Sequence, residues 1–165
     1  MKKIIFVRHA RAEECSSSFS DFERSLTGNG KKTSEKMAMK LLEKEKDDLL
    51  FITSPAFRAY ETAVIFARTM ESDPDRIILR KELYSKATLN SFAAIFDELD
   101  DGIRSVIMFG HNPSFTEIPD RLSKSGCDFV PKTGIVCLTF LTNTWTGIMR
   151  ERGTLEYFLK PEKPA

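Results

Sequence analysis

Apolar runs too short to be buried helices recur along this chain, and segments of helical period separate them. The runs cover residues 4–7 ("IIFV"), 49–53 ("LLFIT"), 76–80 ("RIILR") and 105–109 ("SVIMF"). Their length and their Ile, Val and Phe content read as strands. A polar loop follows the first run. A helix is then expected within residues 27–48, with Met37, Leu41 and Leu42 on its apolar face. Further helices are expected over 54–70, 90–99 and 112–122. In the 54–70 helix Ser54 can cap, Pro55 suits the first turn, and Ala59, Ala63, Ile65 and Phe66 supply apolar bulk. Pro119 should interrupt or end the last helix. Strands alternating with helices admit few solutions: an α/β sheet, mostly parallel, with helices on both faces. Two final strands, 134–141 and 153–159, are joined by a hairpin-type connection over 142–152, so one pairing there is antiparallel. The tail, 160–165, should be frayed.

A chain of 165 residues suits one domain over 1–165. That length buries about two-thirds of the unfolded surface without help from disulfides or metals. The formal net charge of +1 exerts no long-range pull on nucleic acid or on an anionic membrane. No run approaches the roughly 18 apolar residues of a membrane span. Cys15, Cys127 and Cys137 are widely spaced and form no C-x-x-C, which fits a reducing cytoplasm better than a disulfide scaffold. Cys127 and Cys137 read as small apolar residues and Cys15 as a more exposed one. The opening "MKKIIFVRHA" holds too short an apolar stretch for a signal peptide, and Arg8 breaks it. A cytoplasmic protein without a targeting segment is expected. Nothing in the pattern demands a dimer, and a monomer is expected.

Chemistry concentrates where the strands end. The first strand runs straight into Arg8-His9, the second into "SPAFR" with Arg58, and the fourth into Gly110-His111-Asn112-Pro113. These are the two histidines of the chain. In open α/β sheets ligands bind outside the carboxyl ends of the strands, so this fold would gather both histidines and both arginines at one edge. Arginine forks match phosphate oxygens, and two of them aimed at one point call for a dianion. Helix N-termini after "SPA" and "NPS" add positive dipole ends. Flanking cations favour a neutral histidine, which can attack phosphorus, while a second histidine can donate to the charged equatorial oxygens. A metal is not expected: the arginines repel a cation, and no Cys or carboxylate ligands accompany the histidines. No G-x-G-x-x-G follows the first strand, so a Rossmann-type nucleotide site is excluded.

The stretches "VRHARAE", "SDFERSLTGNG", "ITSPAFRAYETA", "ELY" and "FGHNPS" resemble the histidine phosphatase superfamily, in particular its small SixA-type phosphohistidine phosphatase branch. Trp145, Ile148, Gly153, Leu155, Phe158 and Pro161 extend the resemblance over nearly the whole chain. It implies a three-layer α/β/α sandwich, phosphoglycerate mutase-like, with a mixed sheet of about six strands, one antiparallel. It implies that His9 is phosphorylated during turnover, that Arg8 and Arg58 bind the phosphoryl group, and that His111 completes the pocket. Asn112 is a further candidate phosphate contact. No cofactor is implied.

Larger relatives use a carboxylate to protonate the leaving alkoxide. Here Glu82 is placed for such a role, with Glu13, Glu14 and Asp21 ranked behind it. An imidazole leaving from phosphohistidine can depart neutral when its other nitrogen is protonated, so a chain without an acid suits P–N bonds better than P–O bonds. The short connections leave few residues for a lid, and an open pocket admits a phosphorylated side chain of another protein, such as a histidine phosphotransfer domain. A phosphatase of small phosphorylated molecules is the second expectation, and a non-catalytic phosphate-binding module the third.

Overall fold

The computed structural model describes residues 1–163. Its strands are β1 (Lys2–Arg8), β2 (Leu50–Thr53), β3 (Ile78–Leu79), β4 (Ser105–Gly110), β5 (Ile135–Phe140) and β6 (Thr154–Leu159). Its α-helices are α1 (Gly28–Lys44), α2 (Phe57–Thr69), α3 (Leu89–Asp97) and α4 (Ser114–Leu122). The strands form one sheet in the order β3-β2-β4-β1-β5-β6. All neighbours are parallel except that β5 runs against both β1 and β6. The expected mixed α/β sandwich, with one antiparallel strand, is therefore the observed architecture.

The central strands are apolar on both faces because both faces are covered. Alternate residues divide between two cores. Ile4 and Phe6 of β1, Val106 and Met108 of β4, and Val136 and Leu138 of β5 pack on the side of α3 and α4. Ile5 and Val7, Ile107 and Phe109, and Ile135 and Cys137 face α1 and α2. Truncating a fully buried ring such as Phe6 to alanine would cost about 3–5 kcal/mol.

Local departures from expectation have local causes. Helix α2 begins at Phe57 behind Ala56, which offers no capping side chain, so Ser54 does not cap it and Pro55 lies before its first turn. On α1, Met37 and Leu41 are buried but Leu42 is exposed. The third strand shrinks to two exposed residues at the sheet edge, after a 3-10 turn at Pro74–Arg76. Pro119 neither ends nor interrupts α4. Burial of Phe115, Ile118 and Leu122 along one face carries the helix past the missing donor. The β5–β6 connection holds a 3-10 turn, Thr146–Met149, and buries Trp145 and Ile148 beneath the sheet. Residues 160–163 lack regular structure, and the end of the tail lies outside the described residues.

Candidate active site

β1 and β4 are neighbours, with Arg8 opposite Gly110 in register, so the residues that follow emerge side by side at the carboxyl edge. The ring centroids of His9 and His111 lie 5.1 Å apart. Gly110 makes this possible: a Cβ there would lie 2.3 Å from the ring of Phe115, the residue that seats the start of α4 against the strand end. His9 and His111 are both buried. The Ala10 amide donates to Thr62 Oγ1 at 3.1 Å, which ties the turn after His9 to α2.

Hydrogen bonding sets the tautomer of His9. His9 Nδ1 lies 2.7 Å from the Ala10 carbonyl oxygen, which can only accept, so Nδ1 carries the proton and Nε2 keeps its lone pair. His111 Nε2 lies 2.7 Å from Ser54 Oγ. That oxygen accepts from the Ala56 amide at 3.2 Å. A hydroxyl oxygen has a second lone pair and a proton of its own, so the bond to His111 Nε2 suits either neutral tautomer of that ring. His111 Nδ1 is buried without a partner. Burial, reinforced by neighbouring cations, holds both imidazoles down to about 3, far below the usual histidine value.

The two guanidinium groups approach from different elements. Arg58, in the first turn of α2, donates from Nη1 to the Asp21 carbonyl at 2.7 Å and from Nη2 to the Asp21 carboxylate at 3.1 Å. Arg8 donates from Nη1 to the Val130 carbonyl at 3.2 Å, and its guanidinium lies 5.6 Å from the Phe129 ring. The Nε atoms of Arg8 and Arg58 are buried and unpartnered. Unpartnered buried donors are costly, and a water or an anion is among the partners that would satisfy them.

Asp21 is the carboxylate held at this pocket. Tyr84 donates to it at 2.8 Å, and Arg24 at 3.1 Å. Burial pushes its carboxyl up, but these donors and Arg58 outweigh that and bring it to about 2. Tyr84 also sets its ring edge-on to His111, with centroids 5.6 Å apart. Glu82 is differently engaged: Arg80 donates to both its oxygens and keeps its carboxyl below the usual glutamate range. A general acid must hold a proton at neutral pH, so this pairing opposes an acid role for Glu82. Asn112 donates to the Val130 carbonyl at 3.1 Å and accepts from Thr116 at 3.0 Å. It anchors the loop that Arg8 also grips. Ser54, Tyr84 and the Val130 carbonyl are the members of the site that sequence reasoning missed. Among the described residues, no group of three or more His, Cys, Asp or Glu side chains comes together as a metal site.

No protein-family model and no curated protein matches the chain. Solved structures do match it along its length. The protein histidine phosphatase SixA complexed with tungstate is 22% identical over 96% of this chain and 97% of its own, with TM-score 0.79. The fold is that of SixA. The protein taken to be the phosphohistidine phosphatase SixA of Agrobacterium tumefaciens matches equally well, at 22% identity over 98% of this chain and 99% of that one, with TM-score 0.79. A mycobacterial glucosyl-3-phosphoglycerate phosphatase is more distant, at 13% identity and TM-score 0.63, covering 94% of this chain and 97% of its own. The SixA-like sheet of this chain thus carries its histidine pair where β1 and β4 end.

Proposed function

We propose that the chain is a histidine phosphatase that removes phosphoryl groups from phosphohistidine in proteins. The observation that carries this reading is the neutral His9 ring, with Nδ1–H on the Ala10 carbonyl and Nε2 free, set beside His111 and the unpartnered Nε donors of Arg8 and Arg58. In this mechanism the Nε2 lone pair forms a P–N bond as the bond to the leaving group breaks. Arg8, Arg58 and His111 stabilise the charge on the phosphoryl oxygens, His111 in the tautomer that carries its proton on Nδ1. Water then attacks phospho-His9, inorganic phosphate leaves with the water oxygen, and the electron pair returns to Nε2.

The preference for P–N bonds rests on the carboxylates. Asp21 is ionised and occupied by Arg58, Arg24 and Tyr84, and Glu82 is occupied by Arg80. Neither can supply a proton to an alkoxide. A substrate imidazole protonated on its other nitrogen needs none, because it takes the bonding pair and departs neutral.

Phosphoenzyme trapping tests the reading. The protein is incubated with labelled phosphohistidine and phosphoserine peptides, quenched in alkali and mapped. Label on His9, with faster turnover of the phosphohistidine peptide, is expected. Wild-type turnover by His9→Ala would overturn the mechanism. Faster turnover of phosphoserine would point instead to a phosphomonoesterase, and binding without label to a phosphate-binding module.

A further inference from the structure

A second cavity, of about 890 Å3, is lined by the loop after β1 and by the loop that leads into β5. Arg11, Arg24 and Lys132 contribute cations to its wall, and Glu13 and Glu14 contribute carboxylates. The turnover described above makes no use of it.

Lys132 is the informative residue. Its loop is fastened to the nucleophile strand: the Thr133 amide donates to the Arg8 and His9 carbonyls at 3.0 and 3.2 Å, and the Arg8 amide donates to Gly134 at 3.2 Å. Thr133 adopts φ +62°, a strained conformation for a β-branched residue, and such strain gathers at functional sites. Burial lowers the proton affinity of the Lys132 ammonium, and so do Arg8, Arg11 and Arg24, with no carboxylate offsetting them. Among the described residues neither Lys132 nor Arg11 forms an ion pair, with Glu13 and Glu14 or with any other carboxylate, and of the cavity's cations Asp21 pairs with Arg24 alone. Cations gathered in this way repel one another until an anion joins them. The same loop presents Phe129, 63% exposed, over the Arg8 guanidinium. An ammonium and a bare phenyl ring on one short loop suit a polypeptide, which can offer both a carboxylate and an apolar side chain.

Building on the phosphohistidine phosphatase reading, we propose that this cavity is a second anion subsite, in which Lys132 and Arg11 hold a carboxylate of the protein substrate close in space to its phosphohistidine while Phe129 packs on the same segment. The subsite selects substrates and takes no part in the chemical step.

The test compares phosphohistidine peptides flanked by Asp, Ala or Lys, with phosphoramidate as a substrate that has no flanks. At low salt the Asp-flanked peptide is expected to exceed the Ala-flanked one in kcat/KM by about five-fold, as suits one or two partly screened ion pairs. The difference should lie in KM and should collapse near 0.5 M KCl, where screening is short-ranged. Lys132→Ala should abolish the preference, and Lys132→Glu should reverse it toward the Lys-flanked peptide, with phosphoramidate turnover as the internal reference. Phosphoramidate turnover with equal rates on all three peptides would overturn this inference alone. Failure to turn over phosphoramidate or any peptide would overturn the phosphatase reading and this inference with it.

Discussion

Arg58 donates from both terminal nitrogens to Asp21, while its buried Nε has no protein partner. Arg58→Ala should lower kcat/KM by on the order of 10²–10³, the usual cost of one preorganised charge-stabilising donor. The fold should persist, because Arg58 supplies no apolar surface to either core; loss of the far-UV circular dichroism signal would contradict this. Asp21→Asn leaves the backbone carbonyl in place and removes the charge that Arg58 and Tyr84 share. Charge-assisted hydrogen bonds are roughly twice as strong as neutral ones, so a fall of about ten-fold in kcat/KM is expected, measured on phosphoramidate. At this scale the legible residues were those that abut an apolar run: Arg8-His9, Arg58 and His111. Ser54 was visible, but as a helix cap, because its use depends on a histidine far along the chain. The Val130 carbonyl gave no signal at all, since a backbone acceptor leaves no trace in side-chain identity.

The turn from β4 into α4 is the element on which the site is built. Gly110 admits the Phe115 ring where any side chain would clash. Gly110→Ala must therefore shift α4 or the strand end, at a cost of about 1–3 kcal/mol, and it should move His111 with it. A lowered denaturant midpoint together with reduced phosphoramidate turnover is expected; a midpoint equal to wild type would count against this close packing. The same elements explain what periodicity could and could not reveal. Central strands and amphipathic helices announce themselves through residues that pack on two faces. The edge strand β3 has little to pack against, so its run of three apolar residues, Ile77 to Leu79, yields only two strand residues. Pro119 misled because a packed face can outweigh one absent donor.

Across the whole molecule, burying two histidines in neutral form links stability to pH. Both are held at about 3 when folded, against 6.5 for a free histidine. The unfolded chain therefore binds protons first as pH falls. Their contribution is intact above roughly pH 6.5 and drains away toward pH 3. At pH 5 each histidine should cost on the order of 2 kcal/mol relative to pH 7. Asp21, depressed to about 2, loses its own contribution only below the ordinary carboxylate range, so it does not mask this window. Urea midpoints at pH 7 and pH 5 measure the effect, and a His9→Gln, His111→Gln double variant should remove most of it. The reversed strand β5 has a further consequence. Ile135 pairs with Val7, so β5 starts at the edge where β1 ends, and the chain from α4 arrives there beside Arg8, whose guanidinium donates to the Val130 carbonyl. That connection can grow or shrink without changing any strand register. It is the natural grafting point for a cover, and a chain that lengthened it would exchange an open carboxyl edge for an enclosed one.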